Sequence, residues 1–135
     1  MGNVLLFILA LFCAPLCFSA EVYPSKPVRM IVSFQHGSGT DLSARTISQQ
    51  LTKQLGKSFF VENLPGASGI IGNDIVAKSA PDGHTLLMAE PSFAIVPSLK
   101  KSLPYDAVKD FIPITMIMRN ASALVVNASL KANTV

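Results

Sequence analysis

Residues 35–41 form a polar stretch whose backbone and side chains are suited to binding a small ligand. In order they are Gln35, His36, Gly37, Ser38, Gly39, Thr40 and Asp41. The two glycines allow positive φ and a close approach of the backbone to a bound group. Where such a loop leads into a helix, it presents unpaired N–H donors at the positive end of the helix dipole. The stretch therefore predicts an anion site, for either a carboxylate or a phosphate.

A buried strand and an amphipathic helix flank this loop and would position it. Residues 28–34 are mostly β-branched or apolar, which is typical of a strand buried on both faces. In the helix that follows, apolar residues recur at steps of three and four: Ala44, Ile47, Leu51 and Leu55. Thr40 or Asp41 is the expected N-cap, and Gly56 is the expected left-handed C-terminal cap.

Strand, loop and helix then recur along the chain. Residues 59–63 predict a second strand, and the small residues of 65–69 open a second helix. Residues 85–89 predict a third strand, followed by a loop at 90–93. This alternation predicts an α/β fold, with a mainly parallel sheet covered by helices on both faces. Because the loops after parallel strands emerge at one edge, we expect the three loops to converge on one site.

The C-terminal third of the chain predicts shorter elements. Residues 103–106 predict a turn. The Asp106 side chain can then cap a second, short turn that extends to Lys109. Two apolar runs, residues 112–118 and 123–126, predict two further strands.

The first 20 residues predict a signal peptide. They contain no charged side chain, and residues 4–13 are an unbroken apolar run followed by Pro15. Such a run is too short to span a bilayer, which needs about 20 apolar residues, but it suits the core of a signal peptide. Cleavage is expected after Ser19 or Ala20, so the mature chain would be exported. The alternative is an uncleaved membrane anchor.

Composition argues against several other classes of function. The 135-residue chain has a formal net charge of +3, and its two cysteines, Cys13 and Cys17, lie in the predicted signal peptide. A mature chain without thiols has no disulfide, cysteine nucleophile or thiolate metal site. His36 and His84 without an HExxH spacing offer little for zinc, so no cofactor is expected. The basic residues do not alternate with aromatic ones, so nucleic-acid binding is not expected.

Ser38, His36 and Asp41 also suggest a small exported serine-type hydrolase, which is the alternative to a binding site. However, Ser38 does not lie in a Gly-x-Ser-x-Gly elbow, and no separate acid is evidently placed to orient His36. Asp41 suits a helix cap better than a general base. His84 follows a turn at the far end of the sheet, where we expect it to be solvated. The residues therefore favour a binding protein over an enzyme.

Several motifs, in order and spacing, carry a family resemblance. They read YPSKPVR at 23–29, IVSF at 31–34, GSGTD at 37–41, VENLPGASG at 61–69, APDGHTLL at 80–87 and LPYDAVKDF at 103–111. Together they resemble the Bug family, the periplasmic solute receptors of tripartite tricarboxylate transporters. The resemblance implies a periplasmic location, with membrane transporter subunits as partners.

The resemblance also implies a fold and a set of site residues. The fold is the periplasmic-binding-protein type II, or Venus-flytrap, fold, which holds a small organic acid between two lobes. The implied ligand-binding residues are His36, Gly37, Ser38, Gly39, Thr40, Asp41, Ala67, Ser68, Gly69, Ser92 and Phe93.

Two features depart from the family pattern. Residues 35–39 stand where the family usually has two prolines and three glycines, so His36 adds a donor and Ser38 a side chain to the tight loop. Family receptors are also longer, and this chain resembles their N-terminal part only. We therefore expect residues 21–135 to form the N-terminal lobe of a truncated receptor. Because one wall of the cleft would be absent, we expect weak binding.

Overall fold

Strands and helices alternate along the part of the chain that the structure describes. This computed structural model describes residues 22–119, 121, 123–127 and 129–130, so the predicted signal peptide, residues 1–20, lies outside the described residues. In chain order the elements are β1 (Val28–Val32), α1 (Gly39–Leu55), β2 (Phe59–Asn63), α2 (Ile70–Ala77), β3 (Thr85–Met88) and α3 (Pro91–Leu99). A 3-10 turn, Ala67–Gly69, directly precedes α2. None of the described helices combines the length and apolar character needed to span a bilayer.

The strands form one parallel sheet with β1 at its centre. Their order is β2-β1-β3, and Met30 lies opposite Val61 of β2 and Leu86 of β3. The predicted parallel α/β sheet is therefore confirmed. The connections from β1 to β2 and from β2 to β3 cross the sheet in opposite directions. Right-handed crossovers then place α1 and α2 on opposite faces.

Side chains of β1 alternate between the two faces of the sheet and build the core on each. On one face, Met30 and Val32 pack with Ala44 of α1. On the other face, the hydroxyl of Ser33, which directly follows β1, donates to Asn73 of α2 (2.8 Å). Fully burying an aliphatic side chain such as that of Val32 contributes about 1.5–3 kcal/mol. The structure therefore has three layers, with the sheet between helices.

The ends of α1 agree only in part with the sequence prediction. Gly56 is the left-handed C-terminal cap, with φ 69°, as predicted. The N-cap, however, is Ser38 rather than Thr40 or Asp41. The backbone of Ser38 is extended, and its hydroxyl accepts from the Asp41 amide (3.2 Å). The prediction was wrong because the helix begins earlier, at Gly39, and the Asp41 carboxylate has other partners.

Residues 112–118 and 123–126, predicted as strands, are not strands in the structure. Their apolar side chains face solvent: Ile112 is 87% exposed and Leu124 is 79% exposed. A strand forms only by hydrogen bonding to a neighbouring strand, and the pairings among the described residues end at β2 and β3. Local apolar pattern could not supply that neighbour. By contrast, the predicted cap is confirmed, since Asp106 Oδ1 accepts from the Val108 and Lys109 amides.

Candidate ligand-binding site

The three loops that follow the strands meet at one edge of the sheet. Asn63, the last residue of β2, donates through Nδ2 to the Phe34 carbonyl in the first loop (3.2 Å). A Cβ placed on Gly69 in the second loop would lie 3.3 Å from the Ser33 Cβ. α3, which follows the third loop, packs beside the Ala67–Gly69 turn. The parallel sheet thus brings the three loops together, as its topology requires.

Asp41 is the buried anchor of the first loop. Its side chain is fully buried and accepts hydrogen bonds from the Gly37 amide (2.9 Å), Asn63 Nδ2 (2.9 Å) and Arg45 Nε (3.0 Å). The Arg45 guanidinium, followed by the Gly37 amide, holds the pKa of the Asp41 carboxyl well below its usual range. The carboxylate is therefore ionised at neutral pH, and its bonds fix the shape of the loop.

His36 projects from the same loop and contacts Asp41. Its Nδ1 lies 2.9 Å from Asp41 Oδ2, while 76% of its side chain is exposed. An ionised carboxylate only accepts hydrogen bonds, so Nδ1 carries the hydrogen that His36 donates. Nε2 lies across the ring from Nδ1 and is directed away from Asp41.

The first turn of α1 presents two backbone donors. Gly39 and Thr40 are the first two residues of the helix, and their amides donate to no acceptor within the described part of the chain. The next amide, that of Asp41, donates to the Ser38 hydroxyl. Gly39 is exposed. The two amides therefore sit at the positive end of the α1 dipole, where an anion is stabilised.

The second loop contains an unusual run of backbone conformations. Gly66, Ala67, Ser68 and Gly69 all have positive φ, at 138°, 49°, 58° and 90°. For Ala67 and Ser68 this left-handed geometry is strained, by about 1–2 kcal/mol for each residue. The Gly69 amide closes the turn on the Gly66 carbonyl (2.9 Å), and Ala67 and Ser68 are exposed. Strain of this kind clusters at binding sites, which favours the predicted role of this loop.

The third loop delivers Ser92 and Phe93 in the first turn of α3. The Phe93 amide donates to the Glu90 carbonyl (2.9 Å). The Phe93 ring stacks with Tyr105 at a centroid distance of 6.4 Å and meets Phe111 edge-on at 4.9 Å. Tyr105 and Phe111 therefore hold the Phe93 ring in place, and Ser92 directly precedes Phe93 in the first turn of α3.

A buried polar network behind the loops was not anticipated from the sequence. Ser33 donates to Asn73 Oδ1, and Asn73 Nδ2 donates to the Tyr105 hydroxyl (3.0 Å). Ser33, Asn73 and Tyr105 are 5%, 3% and 7% exposed. The network joins the end of β1, α2 and the aromatic cluster that holds Phe93. A serine closing an apolar strand and an asparagine in the apolar α2 were the signals that could have revealed it.

The described contacts include an acid beside His36, as a hydrolase would need, but they do not activate the Ser38 hydroxyl as a nucleophile. Contrary to the sequence prediction, an acid does orient His36, because Asp41 accepts from its Nδ1. The Ser38 hydroxyl, however, accepts from the Asp41 amide as a helix cap and makes no hydrogen bond to His36 among the described contacts. The prediction of a solvated His84 was also wrong, since its side chain is only 11% exposed and packs on the Tyr23 ring at 5.3 Å.

Comparison with known proteins identifies the chain's relatives. The profile described as "Tripartite tricarboxylate transporter family receptor" matches residues 43–135. The chain belongs to this receptor family. It is 43% identical over 115 residues to protein BugT of Bordetella pertussis, a match covering 84% of the chain and 35% of BugT. It is also 43% identical over 110 residues to a UPF0065 protein of Bordetella bronchiseptica, covering 81% of the chain and 33% of that protein.

Solved structures of receptor-family relatives share the fold. The periplasmic binding protein BugD matches with a TM-score of 0.65 and 40% identity, over 68% of this chain and 31% of BugD. A structure described as a periplasmic transporter matches with a TM-score of 0.62 and 44% identity, over 64% of this chain and 30% of that one. The predicted partial periplasmic-binding-protein fold is therefore confirmed. The chain spans about a third of the length of the curated relatives it matches.

Proposed function

We propose that this chain binds a small carboxylate as part of a periplasmic solute receptor. The site is the edge of the sheet where the three loops meet. The observation that carries the proposal is the pair of amides of Gly39 and Thr40 at the start of α1, which donate to no acceptor among the residues that the structure describes. The neighbouring loop is held rigidly by Asp41, so the donors are already arranged before a ligand arrives. Donors fixed in this way lose little entropy on binding.

The balance of charge around the first loop favours a carboxylate over a phosphate. Arg45 forms a paired contact with the Asp41 carboxylate, so the two side-chain charges offset each other. The anion is then met by backbone amides and the helix dipole, which carries only about half a positive charge. A phosphate dianion is ordinarily met by an unpaired lysine or arginine as well, and the described residues of this loop offer none, so a carboxylate is favoured.

The candidate residues take different parts in this proposal. The amides of Gly39 and Thr40 donate to the carboxylate, while Gly37, Ser38 and Asp41 hold the loop in shape. Ala67, Ser68 and Gly69 present the second wall, and Ser92 the third, with Phe93 fixing the start of α3. His36 lies on the same loop and is bonded to Asp41 through its Nδ1.

The proposal also includes that the chain is exported, serves transporter subunits and binds its ligand without hydrolysing it. Residues 1–20 act as a signal peptide, and residues 21–135 form the N-terminal lobe of a two-lobe receptor that serves tripartite transporter subunits. The family match and the likeness to BugD support the receptor part of this proposal. The Ser38 hydroxyl is engaged in capping α1, which supports binding without hydrolysis.

An NMR titration of the full chain tests the proposal. We expect succinate to shift the amide resonances of Gly39, Thr40 and Ser68, and the uncharged succinamide to leave them in place. Gly56 and Gly83 are internal controls, because they lie at the end of α1 and before β3, remote from the loop edge. Equal shifts with both compounds, or shifts centred on Gly56 or Gly83, would refute a carboxylate site at this edge. Ester hydrolysis abolished by Ser38→Ala would instead establish the hydrolase.

A further inference from the structure

Residues 112–118 form an exposed apolar run whose backbone has no hydrogen-bonding partner in the described part of the chain. Every residue of the run is exposed, and Ile112, Ile114 and Met116 are 87%, 77% and 65% exposed. No backbone N–H or C=O group of the run is bonded to another described backbone group. Exposed apolar side chains and unpaired backbone groups are the two features that an added strand covers.

The amino-acid pattern of this run suits pairing with a second copy of the same chain. In a strand, side chains alternate between the two faces. Four apolar side chains would therefore share a face: Ile112, Ile114, Met116 and Met118. The run contains no charged residue, and residues 114–118 contain no proline or glycine. High β propensity and low charge are typical of segments that pair with identical segments of other copies.

Antiparallel pairing centred on Thr115 fits the residues of the run. All seven residues of the run then pair, and Thr115 lies opposite Thr115 of the second copy, a favourable cross-strand pair. Hydrogen-bonded and non-hydrogen-bonded pairs alternate, so Pro113 and Thr115 can both occupy non-hydrogen-bonded positions, where the missing proline N–H costs no bond. Parallel pairing would instead bring the two Arg119 side chains together, and like charges in that position are destabilising.

The apolar area is sufficient for a stable dimer. Eight large apolar side chains in residues 112–118 and 124–126 are each at least 42% exposed. At about 60–120 Å² for each buried aliphatic side chain, scaled by these exposures, they offer about 500 Å² per copy. A standard interface buries about 800 Å² per partner, of which about 57%, or about 450 Å², is apolar. Leu124 lies within about 20 Å of Met118 along the chain, close enough to join the same interface.

We propose that this chain forms a two-fold dimer in which residues 112–118 of the two copies pair as antiparallel strands. The dimer is independent of the carboxylate site proposed above. Such an interface is closed, because the same surface serves both copies. The run lacks a neighbouring strand among the described residues of its own chain, and the second copy supplies one.

Sedimentation velocity of the full 135-residue chain over about 1–300 µM measures its association. The test variants place charges at Ile114 and Met116, each of which would lie opposite the other residue of the second copy. Both side chains are exposed in the single chain, so we expect both variants to fold. Ile114→Lys/Met116→Lys sets lysine opposite lysine and should weaken the dimer Kd about tenfold or more. Ile114→Lys/Met116→Glu sets lysine opposite glutamate in the antiparallel register alone, and should restore the dimer.

A control variant separates this interface from nonspecific association. Ile95→Lys/Leu99→Lys adds the same two charges at positions of α3 that are 54% and 74% exposed, and it should leave the dimer intact. Residues 4–13 are also apolar, so the comparison among variants decides, rather than association of the unmodified chain by itself.

Each outcome decides the proposal. Support requires a dimer in the unmodified chain and in the α3 control, its loss in the Lys/Lys variant and its recovery in the Lys/Glu variant. A chain that is monomeric over the whole concentration range would overturn the proposal and leave the run to a different polypeptide. Association that survives in the Lys/Lys variant, that is not recovered in the Lys/Glu variant, or that grows beyond dimers would also overturn it.

Discussion

Replacing Gly39 by proline removes one backbone donor from the candidate site while leaving α1 able to form. Gly39 is the first residue of the helix, where proline is well tolerated because its missing amide has no partner inside the helix. The preceding residue, Ser38, has φ −66° and ψ 159°, the extended geometry that a following proline requires. A Cβ on Gly39 would meet nothing within 4 Å. We therefore expect Gly39→Pro to fold.

The expected loss of affinity follows from the single hydrogen bond removed. A bond to a charged group contributes about 1.5–3 kcal/mol, and the exposure of Gly39 places this one near the lower end of that range. A loss of about 1–2 kcal/mol weakens Kd for a carboxylate by about 5- to 30-fold. In Gly39→Pro, the free energy of unfolding should be unchanged or rise by about 0.5–1 kcal/mol, because proline restricts the conformations of the unfolded chain.

Calorimetric titration with succinate, paired with denaturant unfolding, measures both quantities. Gly39→Ala is the matched control, because it adds a side-chain carbon in the same space and keeps the amide. The reasoning is refuted if Gly39→Pro binds succinate as tightly as the unmodified chain. It is also refuted if Gly39→Ala loses as much affinity, since added bulk rather than the lost donor would then explain both results.

Three further predictions concern stability. Gly72→Ala should lower the free energy of unfolding by about 1–3 kcal/mol in denaturant, because its Cβ would lie 2.5 Å from the Ser33 hydroxyl oxygen. Tyr105→Phe should lower it by about 1–2 kcal/mol in the same assay, because a buried amide loses its acceptor. Lys26 above all lowers the pKa of Asp82 from 3.8 to about 2. This folded pKa is below the unfolded one, so the stabilisation is complete above about pH 4 and is lost as the pH falls toward 2. Asp82→Asn should therefore flatten that part of an acid-unfolding curve.

Matched variants separate these causes from general effects of mutation. Gly39→Ala adds the same carbon in open space, and equal destabilisation by the two glycine variants would contradict the predicted clash at α2. Tyr23→Phe removes an exposed hydroxyl bond, to the Gly83 carbonyl, and should cost less than Tyr105→Phe. Glu90→Gln neutralises a carboxyl that caps no amide through its side chain. An acid-unfolding curve unchanged in Asp82→Asn, or flattened equally by Glu90→Gln, would count against the ion pair.

The loop at the start of α1 was predicted from the sequence in its position but not in all of its contacts. Glycines and an N-capping residue type after an apolar strand predicted a helix N-terminus suited to an anion. In the described part of the chain, the amides of Gly39 and Thr40 at that position donate to no acceptor. The identity of the cap was wrong by two residues or more, because Asp41 turned inward to Arg45 and Asn63. Asn63 lies 22 positions further along the chain, so no local pattern could have indicated its contact with Asp41.

By itself, the sequence determined the order of strands and helices, the parallel sheet and the edge at which its loops emerge. These follow from short-range periodicity and from the handedness of crossovers, which operate within one strand-helix unit. Only the tertiary structure decided which polar groups are buried together. Ser33, Asn73 and Tyr105 meet across separations of 40 and 32 residues.

The same reason explains the one class of element that was predicted wrongly. Residues 112–118 have the apolar character of a strand, yet a strand is completed by hydrogen bonds to another strand, and none of the described strands pairs with this run. Periodicity can show that a segment would suit a sheet. Whether the segment joins one depends on a neighbour in space, which only the folded chain provides.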